Sequence, residues 1–180
     1  MIGNEIAGEI NVRLKRLELA SQYFVPVAKK RGNMVVQEIW VFVLPKDIRD
    51  KLKDFDQRFM ASQQLTINSQ EDIQETWSEN MMVDSISGYL AESKWGQFEK
   101  ELKQWENEYF ELRDEILERY EEYVAQFIKG FLAAMVKPEY RRQVGFELKC
   151  TIPSKEEYGE SFAVVWEKRE GKDREKNREK

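Results

Sequence analysis

SKWGQFEKELKQWENEYFELRDEILERYEEYVAQFIKGFLAAMV, residues 93–136, is the stretch that decides the fold of this chain. Within it Phe98, Leu102, Trp105, Tyr109, Leu112 and Ile116 recur at alternating steps of four and three. That spacing places side chains on one face of an α-helix. Tyr120, Val124, Phe127 and Phe131 continue the stripe after a break in strict heptad register. A continuous helix here predicts a rod roughly 60 Å long, at about 1.5 Å per residue. Its first part is amphipathic. Residues 124–136 are apolar nearly all round and call for burial on more than one side. Pro138 ends the run.

On the C-terminal side, Phe146, Leu148, Cys150 and Ile152 alternate with other residues, and so do Phe162, Val164 and Trp166. A β-hairpin with a loop over 153–160 is the simplest expectation. On the N-terminal side, Ile48, Leu52, Phe55 and Phe59 recur at helical spacing behind Pro45 and Asp47, predicting a helix over 45–63. Ser69 and Asp72 form a capping pattern ahead of Ile73, Trp77 and Met81, which predicts a second, short helix. Residues 83–90 are ambiguous, with Gly88 favouring a turn or a short extended piece.

Residues 35–44, VVQEIWVFVL, are β-branched and aromatic with apolar residues on both faces, as expected of a central strand. Ile10, Val12 and Leu14 alternate like a strand. Ile6, Ile10, Leu14 and Leu17 also fit a helical stripe over 5–20, so both alternatives stand. These pieces predict an α+β fold: a small antiparallel sheet built from N- and C-terminal segments, with a long antiparallel helical arm inserted between them. Residues 1–44 and 139–166 would form the β base and 45–138 the arm. Residues 167–180, almost wholly charged, would be a disordered tail.

Composition narrows the chemistry. The chain has 180 residues, is 41% hydrophobic and carries a formal net charge of -5, which suits a soluble domain and opposes a surface wholly given to nucleic acid or anionic membrane. It has no histidine and a single cysteine, so imidazole bases, His metal sites and internal disulfides are excluded. Cys150 is expected to be a buried structural thiol in a strand. With no signal-like or membrane-length apolar run, the expected setting is cytoplasmic. No glycine fingerprint for a nucleotide is present, and no cofactor is expected.

Charge is uneven. Residues 99–122 hold ten acids and four bases, net -6, whereas residues 10–32 hold Arg13, Lys15, Arg16, Lys29, Lys30 and Arg31 against Glu18, net +5. An ordinary mixed surface explains this. A sharper expectation is that the basic region meets the acidic arm, within one chain or between subunits. A third is that the basic residues, beside Tyr23 and Phe24, contact phosphates of a nucleic acid. The carboxylates of 99–122 alternate with Lys100, Lys103, Arg113 and Arg119, the pattern of a solvated helix face more than of a metal centre.

The order of a strand-rich start, the element Gly88-Tyr89-Leu90-Ala91 leading into 94–136, Pro138 and an apolar β tail resembles an uncharacterised family of bacterial plasmid and phage proteins. Phe98, Leu102, Leu112, Tyr120 and Phe127 along the arm, with Phe146 beyond it, carry the similarity. The resemblance implies a mobile-element setting and an ATPase-linked assembly as partner, with no activity to carry over.

One short helix cannot cover a much longer one, so the seam of Phe98, Leu102, Trp105, Tyr109, Leu112 and Ile116 is expected to bind a protein partner or a second copy. The expected function is that of a non-enzymatic interaction or assembly protein, coiled-coil-like in its arm and not membrane-bound. A nucleic-acid accessory factor and a carboxylate-metal enzyme are the alternatives.

Overall fold

A computed structural model describes residues 7–30, 32–67, 73–78 and 80–168. The chain is an α+β protein. Strand β1, Ala7–Leu17, is the centre of a four-stranded antiparallel sheet, flanked by β5, Met81–Ala91, and by the C-terminal β6, Ala163–Lys168. A short strand β4, Gln74–Ser78, adds to the outer side of β5. N- and C-terminal segments thus share one sheet, with Ile10 opposite Lys168 and Lys15 opposite Ala163. The period-two alternative for residues 7–17 prevails over the helical one because its even-numbered side chains all find burial together. Ile10, Val12 and Leu14 lie in the core, with Ile86, Leu90 and Val164 beside them.

Helix α1, Lys46–Thr66, starts behind Pro45 with Asp47 in its first turn, and buries Ile48, Leu52, Phe55 and Phe59. It lies antiparallel to α2, Trp95–Glu118: Lys51 meets Glu115, Phe55 stacks on Tyr109 and Phe59 packs edge-on against Trp105. At roughly 2–3 kcal/mol for each large apolar side chain buried, this aromatic seam is a main source of stability. α2 is entered through a 3-10 turn, Glu92–Lys94.

The rod is not continuous. α2 stops at Glu118, Arg119 adopts φ -118° and ψ 15°, and α3 runs over Tyr120–Met135. The interruption falls where the heptad register breaks in the sequence. Around it the Tyr120 hydroxyl donates to the Pro153 carbonyl at 2.6 Å, and its ring stacks on Tyr158.

Four further expectations are corrected. Residues 74–78 are not helical: Ile73, Trp77 and Met81 fit a helix step, but residues 74–78 pair with β5 and extend the sheet, while Ser69 and Asp72 of the expected cap lie outside the described residues. The central-strand segment forms β3, Asn33–Phe42, which pairs with β2, Ala20–Lys30, in a separate two-stranded sheet. Residues 146–151 belong to a helix, α4, Arg141–Thr151, with Ile152 as its cap, followed by α5, Lys155–Glu160. Cys150 consequently lies on α4 and is exposed. Of the charged tail, residues 169–180 lie outside the described residues.

Gly88 is required by a close approach. The Tyr89 amide donates to the Ile67 carbonyl at 2.8 Å. A Cβ at Gly88 would clash with that carbonyl oxygen and lie 2.7 Å from Ile67 Cγ1. The glycine that reads as a turn signal in the sequence is a docking point for the end of α1.

Candidate functional site

The seam singled out in the sequence is inside the molecule. Phe98, Leu102, Tyr109 and Ile116 are buried, Trp105 is wedged edge-on against Phe55 and Phe59, and Leu112 is half-buried. α1 covers this seam together with the sheet, so these six residues are core and not a docking face. The acidic arm finds its cations on α1: Lys51 pairs with Glu115 at 2.8 Å and Arg58 with Glu108 at 2.7 Å. Among the described residues, no ion pair joins the basic N-terminal region to the acidic arm.

The basic residues are divided. Arg13 and Lys15 are half-buried on the less covered side of β1. Arg16 faces the core, 4% exposed, and its two terminal nitrogens donate to the two carboxylate oxygens of Asp56 at 2.7 Å each. It cannot reach a phosphate from there. Lys29 and Lys30 close β2, about 30 Å along the strand from its root at Ala20. Arg31 lies outside the described residues.

Around Arg16 is a polar cluster. The Tyr109 hydroxyl donates to the Lys15 carbonyl at 2.9 Å and accepts from Arg16 at 3.4 Å. Burial pushes the Tyr109 phenol up. Burial, reinforced by the carboxylates of Asp56 and Glu75 and opposed by Arg16, pushes Asp84 up to about 6. Burial raises Glu18 as well. A catalytic role would need room for a substrate beside these groups. The adjoining cavity, lined by Arg16, Glu18, Arg49 and Tyr158, has about 30 Å³, enough for a water molecule and little else. The cluster is structural: it satisfies a cation that the even-numbered face of β1 carries into the core. Among the described residues, no group of three or more Cys, Asp or Glu side chains could hold a metal ion.

The unfilled surface lies beyond the break, on the hairpin of α3 and α4. The two helices are in contact where Gly145 meets Leu132 and Ile128; a Cβ on Gly145 would lie 3.0 Å from Leu132 Cδ1. Beside this contact runs a groove of about 800 Å³, walled by Val124, Ile128 and Leu132 of α3 and by Ile152 and Pro153 at the end of α4. From Tyr120 to Leu132 it follows α3 for about 18 Å. Met135 continues the line of Val124, Ile128 and Leu132 at helical spacing and is exposed. On the α4 side Phe146 is 68% exposed, three residues before the lining Lys149, and Tyr140 in the connecting turn is 59% exposed. A second cavity of about 330 Å³ joins Phe127, Leu148 and Ile152 to Ala20 and Val43, at the root of the β2–β3 hairpin.

The sequence held a signal for this surface that its alternation obscured. Arg141, Gly145, Leu148 and Ile152 step by four, three and four, a helical stripe in which two members are not large apolar residues.

Fold and site together define an α+β domain with an open apolar groove on its helical hairpin. No protein-family model matches the chain, and comparison with curated proteins and with solved structures finds no similar protein. Among the described residues, no helix is long and apolar enough to cross a membrane.

Proposed function

We propose that this chain is a non-enzymatic assembly protein that acts by self-association, with the outer face of the α3–α4 hairpin as its contact surface. The observation that carries this is the groove of about 800 Å³ on this hairpin, together with the exposure of Met135, Tyr140 and Phe146 on the same two helices and their connection. A two-helix layer with an apolar face needs a second layer to bury it. A second copy suits the face because pairing two α3 helices antiparallel about a two-fold aligns the helix dipoles favourably and buries the same residues on both sides.

The contact thus uses α3, beyond the break at Arg119, and leaves the buried α2 seam undisturbed. An exposed thiol at Cys150 suits a reducing, cytoplasmic setting. Nucleic-acid binding draws less support, because Arg16 is engaged internally. Hydrogen–deuterium exchange measured over a range of protein concentrations tests the proposal. Amides of α3 and α4 gain protection as concentration rises, while those of α1 do not change. Concentration-independent exchange in α3 and α4 would refute it.

A further inference from the structure

The β2–β3 hairpin is a two-stranded sheet, so among the described residues each strand is an edge. The two edges are unlike. β2 carries Pro26, a register shift between Pro26 and Ala28, and Lys29 and Lys30 near its end. Prolines, bulges and lysines are the devices that stop an edge strand from pairing further. β3, NMVVQEIWVF, has none of them. It contains no proline and no lysine, its only charged residue is Glu38, and Val35, Val36, Ile39, Trp40, Val41 and Phe42 are all strand formers. Ten residues at about 3.3 Å each give an unprotected edge of about 33 Å. Trp40, 58% exposed, stands open near its root, and Phe42 beside it carries the Arg49 guanidinium over its ring at 4.1 Å.

We infer that the free edge of β3 pairs antiparallel with β3 of a second copy, about a two-fold axis through Gln37, giving a sheet in the order β2-β3-β3-β2. A two-fold antiparallel ladder pairs each residue with one of the same face, and centring it on Gln37 sets a neutral residue opposite itself. It sets Met34 opposite Trp40, Val35 opposite Ile39 and Val36 opposite Glu38 of the second copy. Centring one residue later would oppose Glu38 to itself, which like-charge repulsion disfavours. In the paired sheet β3 becomes a central strand. Its apolar residues on both faces, which are out of place in an isolated ribbon, then have the environment their pattern calls for. The root of the hairpin, at Ala20 and Val43, shares a cavity with Phe127, Leu148 and Ile152 of the helical hairpin.

The inference builds on self-association but rests on a different surface, and the two separate experimentally. In full-length protein with Cys150→Ser, a Gln37→Cys substitution places two thiols directly opposite each other at about 4.5–5.5 Å between Cα atoms, within the span of a disulfide. Mild oxidation is expected to convert most of this variant to a covalent dimer. Val25→Cys, opposite Gln37 across the hairpin on the protected edge, is expected to give at least tenfold less. Adding Phe146→Glu, which blocks the helical face, leaves the Gln37→Cys cross-link in place if β3 pairs in its own right. Equal cross-linking at the two positions, or its loss when Phe146→Glu is added, would overturn the inference. Persistence of the cross-link while the α3–α4 exchange shows no concentration dependence would refute the helical contact and uphold this one.

Discussion

Arg16 of β1 and Asp56 of α1 face each other across the interface of sheet and helix, joined by two parallel hydrogen bonds of 2.7 Å. Burial works against the Arg16 charge, but its bonds to Asp56 and the neighbouring Tyr109 more than offset this and raise its affinity for the proton. Removing one member leaves an uncompensated buried charge. Asp56→Ala is therefore expected to cost about 3–5 kcal/mol in urea unfolding. The double variant Arg16→Leu with Asp56→Leu should recover at least half of that loss. Equal losses in single and double variants would contradict the pairing.

Asp84 gives a pH dependence. Its carboxyl is raised from 3.8 to about 6 by burial and by the Asp56 and Glu75 carboxylates. The fold therefore prefers the protonated form; the contribution is full at pH values below about 4 and is lost as pH rises through about 6. Allowing for screening by solvent, Asp84→Asn should gain about 1 kcal/mol over the parent at pH 8. At pH 4 the two should unfold alike. A variant less stable at pH 8 than at pH 4, relative to the parent, would show that the carboxylate is needed ionised.

Two glycines should respond with opposite signs. Gly88→Ala drives a methyl into Ile67 and is expected to destabilise by about 2 kcal/mol. Gly130, inside α3, has open space around its Cβ direction. Gly130→Ala should stabilise by about 0.5–1 kcal/mol through helix propensity. Urea midpoints of both variants read this directly.

Cys150 is expected to react with a thiol-selective dye in the native protein, one label per chain, without denaturant. Labelling that appears only on unfolding would restore the buried strand position expected from the sequence.

Much of the fold can be read from periodicity wherever one period is unambiguous. The four-three spacing of α1 and α2 locates both helices and their antiparallel packing, and the lost heptad register near Tyr120 marks the interruption at Arg119. Short segments fail for a physical reason. In residues 73–81 three apolar residues four apart satisfy a helix, yet cross-strand pairing with β5 decides the outcome. In α4 the alternation of Phe146, Leu148, Cys150 and Ile152 mimics a strand, although Phe146 and Cys150 are exposed and only Leu148 is fully buried. Burial of Arg16 was legible in principle: it is the next even position after Ile10, Val12 and Leu14. The partner seam was misplaced because helix length alone does not reveal how much of a helix the sheet will cover. β3 is the converse case, a pattern read as central that stands at an edge among the described residues.

The sharpest test of self-association through the α3–α4 face is molar mass by light scattering at the highest soluble concentration, for the parent chain and for Ile128→Glu with Phe146→Glu. The account predicts a parent mass of at least twice the 21.5 kDa of one chain, and a smaller mass for the doubly substituted protein with an unchanged circular dichroism spectrum. A parent at 21.5 kDa throughout, or a substituted protein whose mass equals the parent's, would contradict it.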